Sequence, residues 1–117
     1  RQQEENHIME NIIYLELVRR GFNVDVGIIE IRDKDARKQL EVDFVCNQHN
    51  KRYYVQVTLN LETRDKTLQE TRPLLNISDS FKKIIVVKDD IISWISEDGV
   101  LVIGIIEFLL NQNSLDL

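Results

Sequence analysis

The sequence predicts one α/β (α+β) domain over residues 1–117, with a central mixed sheet flanked by helices. Three patterns indicate this. Residues 4–20 carry apolar side chains at helical spacing, and residues 40–58 alternate as two strands around a short polar turn. Residues 83–88, KIIVVK, contain a continuous apolar run, which is typical of a strand covered on both faces. The length suits a single domain with a modest core.

Residues 4–20 are predicted to form an amphipathic helix. One apolar stripe follows i, i+4, i+7 and i+10 spacing, and we expect it to face the core. Its members are Ile8, Ile12, Leu15 and Val18, widened by Met9, Ile13 and Leu17. Gly21 follows two arginines and is a natural end for the helix.

Three strands are expected next. The first covers residues 22–31 and leads into a charged loop at residues 32–38. The second and third form a hairpin whose turn is at residues 47–51.

Alternation along this hairpin predicts which side chains share a face. On the second strand, Leu40, Val42, Phe44 and Cys46 are expected on one face, with Glu41, Asp43 and Val45 on the other. On the third strand, Gln56 and Thr58 project together. A suitable register puts Asp43 beside them.

The second half of the chain completes the sheet. Residues 61–71 are helix-compatible with Leu61, Leu68 and Thr71 inward, and Pro73 should start, kink or interrupt a helical piece. The buried strand at 83–88 follows, then an irregular segment, a further apolar strand and a short helix. The predicted order is helix, three strands, helix, strand.

Composition excludes several classes of protein. The net charge of -5 and the pI of about 5.0 disfavour a general nucleic-acid coat, although a small basic patch stays open. One cysteine and two histidines make neither a disulfide framework nor a convincing zinc site. No apolar run reaches the roughly 20 residues that cross a bilayer. We therefore expect a cytoplasmic protein with no membrane partner.

The order of elements and three positions resemble the PD-(D/E)XK nuclease superfamily, whose core has the order αβββαβ. Glu10 matches the acid of the first helix, Asp43 the strand aspartate, and Gln56-Val57-Thr58 the E-x-K position. Two positions depart from that pattern: Gln56 replaces the acid and Thr58 replaces the lysine.

A closer resemblance is to the DUF4143 domain. The segments MENIIYLELVRRGFNVDVG, EVDFV, YYVQVT, ETRPLLNISDSFKKIIVV and DGVLVIGIIEFLL follow its order and spacing. The resemblance implies the C-terminal fragment of a longer prokaryotic AAA-type ATPase. The chain has no GxxxxGK[ST] loop, so ATP is expected only in the absent N-terminal domain, through which the parent protein could oligomerise.

The nuclease resemblance implies a metal site as well. Glu10, Asp43 and the Gln56 carbonyl are the predicted Mg²⁺ ligands, and Lys66 is the candidate for a relocated lysine, since Thr58 carries no charge. Simpler interpretations stay open. Asp43 could pair with an arginine at a sheet edge, Glu10 could be solvated, and Gln56 could satisfy neighbouring polar groups.

Three functions follow from these alternatives. The leading hypothesis is a nuclease-fold domain with a degraded site, acting as a binding or regulatory module that contacts nucleic acid or protein. The second is an active Mg²⁺-dependent nuclease that uses Lys66. The third is a protein-interaction or oligomerisation domain that binds no nucleic acid.

Overall fold

The structure, a computed structural model, describes residues 2–117, apart from the side chains at positions 2 and 33. Its elements are the helices α1 (Gln2–Arg19), α2 (Arg64–Leu75) and α3 (Ile105–Leu110), the strands β1 (Asn23–Asp33), β2 (Ala36–Gln48), β3 (Lys51–Thr58), β4 (Lys82–Val87), β5 (Trp94–Ile95) and β6 (Leu101–Gly104), and a 3₁₀ turn at Ser114–Asp116. None of these helices combines the length and the apolar character that a bilayer crossing requires.

Within the described residues, six strands form one mixed sheet in the order β1-β2-β3-β4-β6-β5. The first three strands are an antiparallel meander. After α2, β4 lies parallel to β3, and β6 lies parallel to β4. The short β5 pairs antiparallel with β6 at the edge. The predicted mixed sheet, and the order helix, three strands, helix, strand, are confirmed.

Helices cover both faces of this sheet. On one face, the side chains of α1 and α3 pack with alternate residues of β3 and β4, and we call this the α1-side core. On the other face, Leu74 of α2 packs with Tyr54 and Ile85 in the α2-side core. The apolar run of β4 therefore supplies both cores, as predicted. Cys46 is buried in the α1-side core, and this burial raises the pKa of its thiol to about 12.

The predicted core stripe of α1 is confirmed for the residues that widen it and wrong for its four main members. Met9, Ile13 and Leu17 are the buried residues, whereas Ile8, Ile12 and Leu15 point outward and are 60%, 41% and 64% exposed. Val18, the last member of the predicted stripe, is also exposed. Both stripes have helical spacing, so periodicity alone could not choose between them.

The predicted charged loop at residues 32–38 is also wrong. β1 continues to Asp33 and β2 begins at Ala36, with Lys34 and Asp35 as a two-residue turn. Both turn residues have positive φ, 52° and 67°, as a type I′ hairpin requires. The sequence does not predict this turn, because Lys34-Asp35 stands where an Asn-Gly or Asp-Gly pair is usual.

A β-bulge changes which face of the sheet the side chains of β2 point to. Asp25 pairs with Val45, but Gly27 pairs with Val42, so two residues of β2 lie opposite the single Val26. Those two residues are Asp43 and Phe44. As a result, Val42 and Val45 both belong to the α2-side core, whereas Phe44 and Cys46 belong to the α1-side core. The predicted common face for Val42, Phe44 and Cys46 is therefore wrong, because the extra residue breaks the alternation.

Candidate functional site

The candidate site lies where β2 and β3 separate. Their ladder ends at the Phe44–Val55 pair. Upstream of Phe44, β2 remains paired with β1, while β3 continues beside β4 as far as Thr58. Asp43, at the bulge, is the first residue of β2 beyond the last pair, and Gln56 is its counterpart on β3.

Side chains join the two strands at this opening. The Gln56 Oε1 accepts the backbone N–H of Asp43 at 2.8 Å. In return, Asp43 Oδ2 accepts the backbone N–H of Val57 at 2.8 Å. The other end of the Gln56 carboxamide, Nε2, donates to the backbone oxygen of Glu70 at 3.2 Å. Gln56 is 4% exposed, so these bonds satisfy a buried polar group and tie α2 to the sheet.

Asp43 is an unusual acid. Burial raises the pKa of its carboxyl to about 6, even though the Val57 N–H stabilises the charged form. The charges of Glu10 on α1 and Glu70 on α2 raise this pKa further. Burial also raises the pKa of Glu70. The positive charge of Lys66 lowers this pKa, and the charge of Glu10 raises it further. The charge of Glu10 on α1 therefore acts on two buried carboxyl groups, Asp43 on β2 and Glu70 on α2.

Lys66 contacts Glu70, one of the carboxyl groups near Asp43. The Lys66 Nζ lies 3.8 Å from Glu70 Oε2, one helical turn along α2. Lys66 is in the first turn of α2, where its backbone N–H is capped by Thr63 Oγ1 at 3.0 Å. The candidate lysine is thus placed beside an acid that is itself coupled to Asp43.

Thr58 has a different role from the other predicted residues. It is 1% exposed, and its Oγ1 donates to the backbone oxygen of Asn60 at 3.2 Å. The hydroxyl therefore stabilises the chain as it leaves β3. It provides no charge at the position predicted to correspond to the motif's lysine.

Sequence reasoning missed Glu70. It also placed Leu68 inward, whereas Leu68 is 54% exposed. A signal was present, because Lys66, Glu70 and the buried Leu74 are four residues apart and so share one face of α2. Hydrophobicity alone favours the face of α2 that carries Leu68, and so it predicts the wrong face as the inward one.

An open cleft of about 450 Å³ lies on the α1 side of the site. It is lined by His7, Glu10, Asn11, Tyr14 and Phe44. The rings of Tyr14 and Phe44 are 6.1 Å apart between centroids. Glu10 thus lies both in the cleft and within electrostatic range of Asp43.

The oxygen atoms of this site can be compared with what Mg²⁺ needs. Gln56 Oε1 and Asp43 Oδ2 each already accept one backbone N–H, which leaves each oxygen one further lone pair for an ion. In the part of the chain that the structure describes, no group of three or more His, Cys, Asp or Glu side chains is close enough to hold a metal ion. The assignment of Glu10, Asp43 and Gln56 as ligands stays a prediction.

Comparison with known proteins identifies the family of this chain. Residues 5–108 match the family model described as "Domain of unknown function (DUF4143)". The chain belongs to the DUF4143 family. The DUF4143 chain is also 33% identical over 102 residues to a protein from Haemophilus influenzae described as an uncharacterized protein. That match covers 87% of this chain and 22% of the Haemophilus protein, so the chain spans about a fifth of its relative's length.

Proposed function

We propose that this DUF4143 chain is a nuclease-fold module that has lost the catalytic site of the PD-(D/E)XK type and acts by binding or regulation within a longer AAA-type ATPase. The order αβββαβ supports this proposal. So does the position of Asp43, at the opening between β2 and β3, with Gln56 directly across from it.

The bonding of Gln56 is the observation that carries the proposal. A carboxamide can accept from Asp43 N–H and donate to the Glu70 oxygen at the same time, as Gln56 does. An ionised glutamate could accept but not donate. Gln56 therefore suits a structural link between β2, β3 and α2, and it leaves the position without the negative charge that a metal site needs. Thr58, bonded to Asn60, supplies no ammonium.

A domain without its own chemistry acts through what it binds. The relative from Haemophilus influenzae is several times longer than the matched region, which suits a module attached to a larger protein. In this proposal the ATP site lies in the ATPase part, and the module contacts nucleic acid or a protein in the cytoplasm. Gel shifts with single-stranded and duplex DNA or RNA distinguish the two. A shifted band indicates a nucleic-acid partner, and its absence favours a protein partner.

A second function, an active Mg²⁺-dependent nuclease, is supported by one specific observation. Burial and the charges of Glu10 and Glu70 raise the pKa of the Asp43 carboxyl, and Lys66 lies beside Glu70. Carboxylate oxygens are the ligands that Mg²⁺ prefers, and a bound ion would activate water for phosphodiester cleavage. In this alternative, Lys66 would position that water.

Cleavage assays decide between the two. The chain is incubated with plasmid and oligonucleotide DNA, with Mg²⁺ or Mn²⁺, beside Asp43→Ala and Lys66→Ala variants purified in the same way. The proposal expects no cleavage above that of the two variants. Cleavage by the natural sequence that both substitutions abolish would overturn the degraded-site proposal and establish the nuclease.

A further inference from the structure

A pocket of about 250 Å³ opens on the α2 side of the sheet, beside the ends of β3 and β4. Its floor is apolar, because Val87 of β4 and Val102 of β6 are buried in the α2-side core. Leu61 and Ile91 pack against the same core and line the pocket beside this floor. The interior of the pocket therefore favours the apolar part of a ligand.

Trp94 forms one wall of this pocket and is held in a fixed position. It lies opposite Val102 in the pairing of β5 with β6, so both side chains point to the α2 side. The turn after β5 is closed by Ser96, whose N–H donates to the Val100 oxygen at 2.9 Å and whose Oγ accepts the Val100 N–H at 3.1 Å. Trp94 is nevertheless 48% exposed. A large aromatic surface is therefore held in place and open to a ligand.

Two exposed acids, Glu62 and Asp89, also line the pocket. The segment that carries Asp89 packs closely on Gly104, where a Cβ would lie 2.8 Å from the Asp89 oxygen and 3.3 Å from the Ile91 nitrogen. Among the residues that the structure describes, neither carboxylate has an ion pair or a side-chain hydrogen bond. Both negative charges are therefore available to a ligand.

We propose that this pocket binds the side chain of an arginine in an exposed segment of a partner protein. A guanidinium is planar and cationic, so it can stack on an indole ring and donate to carboxylates from its edge. Trp94 supplies the ring, and Glu62 and Asp89 supply the carboxylates. The methylene stem of the arginine covers the apolar Leu61 and Ile91.

The size and lining of the pocket favour an arginine over other ligands. Pockets for small molecules and cofactors usually measure about 300–1,000 Å³, whereas this one measures about 250 Å³. Cages for quaternary ammonium groups are built from aromatic rings, and Trp94 is the one aromatic residue among the described residues that line this pocket. A lysine ammonium is a compact charge that has no planar face to stack on the indole.

The charge of the whole chain favours the same kind of partner. The net charge of -5 attracts a basic protein over a longer range than the two acids of the pocket. The pocket shares no residue with the Asp43 site, so this proposal neither requires the proposed function nor fails with it.

Titration with short peptides tests the proposal. Trp94 is the single tryptophan of the chain, so its indole N–H gives one nuclear magnetic resonance signal that reports on the pocket. The probe is a capped Gly-Arg-Gly peptide, compared with peptides in which lysine or the neutral citrulline replaces the arginine. We expect the arginine peptide to shift the signal saturably at millimolar concentration, the lysine peptide to bind several-fold more weakly, and the citrulline peptide to have no effect. No shift with the arginine peptide, or equal binding of either replacement, would overturn the proposal.

Substitution of the acids tests the charge complementarity. Glu62→Gln and Asp89→Asn should each weaken the arginine peptide about threefold, as expected for an exposed ion pair. Glu97→Gln is the matched control, because it removes the same charge from an exposed position that does not line the pocket. Circular dichroism confirms that each variant is folded. Equal effects of all three variants would reduce the attraction to the net charge and contradict the pocket. A Trp94 shift on concentrating the chain alone would identify a second copy as the occupant and overturn the proposed partner.

Discussion

Asp43 and Gln56 hold β2 and β3 together through reciprocal bonds. Gln56 Oε1 accepts the Asp43 N–H at 2.8 Å, and Asp43 Oδ2 accepts the N–H of Val57, the residue after Gln56, also at 2.8 Å. The two side chains thus replace backbone bonds at the point where the ladder ends. Substitutions at either position are therefore expected to change stability.

Replacing Gln56 tests its structural role. Gln56→Met should lower the free energy of unfolding by about 1–3 kcal/mol, because it leaves the Asp43 N–H and the Glu70 oxygen without their partner. Gln56→Glu keeps the acceptor for Asp43 but adds a negative charge beside Asp43 and Glu70. Its destabilisation should therefore be larger at pH 7 than at pH 4. Urea denaturation at both pH values measures these differences.

The same Gln56→Glu variant should gain affinity for divalent ions. We expect Mn²⁺ to stabilise Gln56→Glu against urea and to leave Gln56→Met unchanged, since only the former adds a carboxylate oxygen. An equal effect of Mn²⁺ on the two variants would show that position 56 does not face a metal site.

The raised pKa of Asp43 predicts how stability depends on pH. Burial gives the folded carboxyl a pKa of about 6, compared with about 3.9 when unfolded. The folded state therefore holds the proton more tightly, and the free energy of unfolding falls as pH rises from about 4 to 6. Asp43→Asn removes the charge and keeps an oxygen for the Val57 N–H. The variant should match the natural chain near pH 4 and exceed it by on the order of 2 kcal/mol at pH 7.

Denaturation across pH, followed for both proteins in parallel, gives this comparison. The prediction concerns the difference between the two curves, so groups that do not interact with Asp43 cancel. A difference that stays constant between pH 4 and pH 7 would mean that the Asp43 carboxyl has an ordinary pKa.

Gly27 fits the bulge because it has no side chain. A Cβ at this position would lie 2.6 Å from Val45 Cγ2 and 3.2 Å from Val42 Cβ. Gly27→Ala should therefore lower the unfolding free energy by about 1–3 kcal/mol through overpacking. Val45→Ala removes the closest atom, so the double variant should be less destabilised than the sum of the two single variants. Strict additivity in thermal denaturation would argue against this contact.

Arg20 fastens the end of α1 to the C-terminal segment. Its side chain is 7% exposed and bonds Glu16 Oε2 at 2.7 Å, Ser114 Oγ at 3.0 Å and two backbone oxygens. Its guanidinium also lies 4.6 Å from the centre of the Phe108 ring. Arg20→Lys should cost about 3 kcal/mol in unfolding free energy, because a lysine cannot satisfy several acceptors in one plane.

Arg19→Lys is the matched control for Arg20. Arg19 bonds the same Glu16 carboxylate, but its side chain is 57% exposed. Exposed pairs contribute little, so we expect a change below about 1 kcal/mol. Chemical denaturation measures both variants. If they lose similar amounts of unfolding free energy, the stabilisation comes from pairing with the Glu16 charge and not from the buried contacts of Arg20.

Strong local patterns made much of this fold predictable. The α1 helix, the β2–β3 hairpin and the buried β4 all have clear sequence patterns, and each is predicted in its place, although β2 begins earlier than expected, at Ala36. The inward face of α1 was not predictable, because Ile8 and Met9 begin two equally apolar stripes and tertiary packing chooses between them. The bulge at Asp43 depends on pairing with β1, which a pattern within β2 alone cannot reveal.

The candidate site was predicted in part. Alternation placed Gln56 and Asp43 together, and the structure joins them directly. Glu70 was not found, because its proximity to Asp43 depends on how α2 crosses the sheet. Lys66 was chosen from a resemblance, and the structure places it next to that unpredicted acid.

The bulge gives Asp43 a position that no regular strand residue has. Its neighbour Val42 belongs to the core under α2, and its neighbour Phe44 packs against the core under α1. The proton affinity of Asp43 depends on Glu10 from one helix and Glu70 from the other. The pH titration of the Asp43 carboxyl carbon, followed by nuclear magnetic resonance, would therefore report on its burial and on the charges that both helices bring to it.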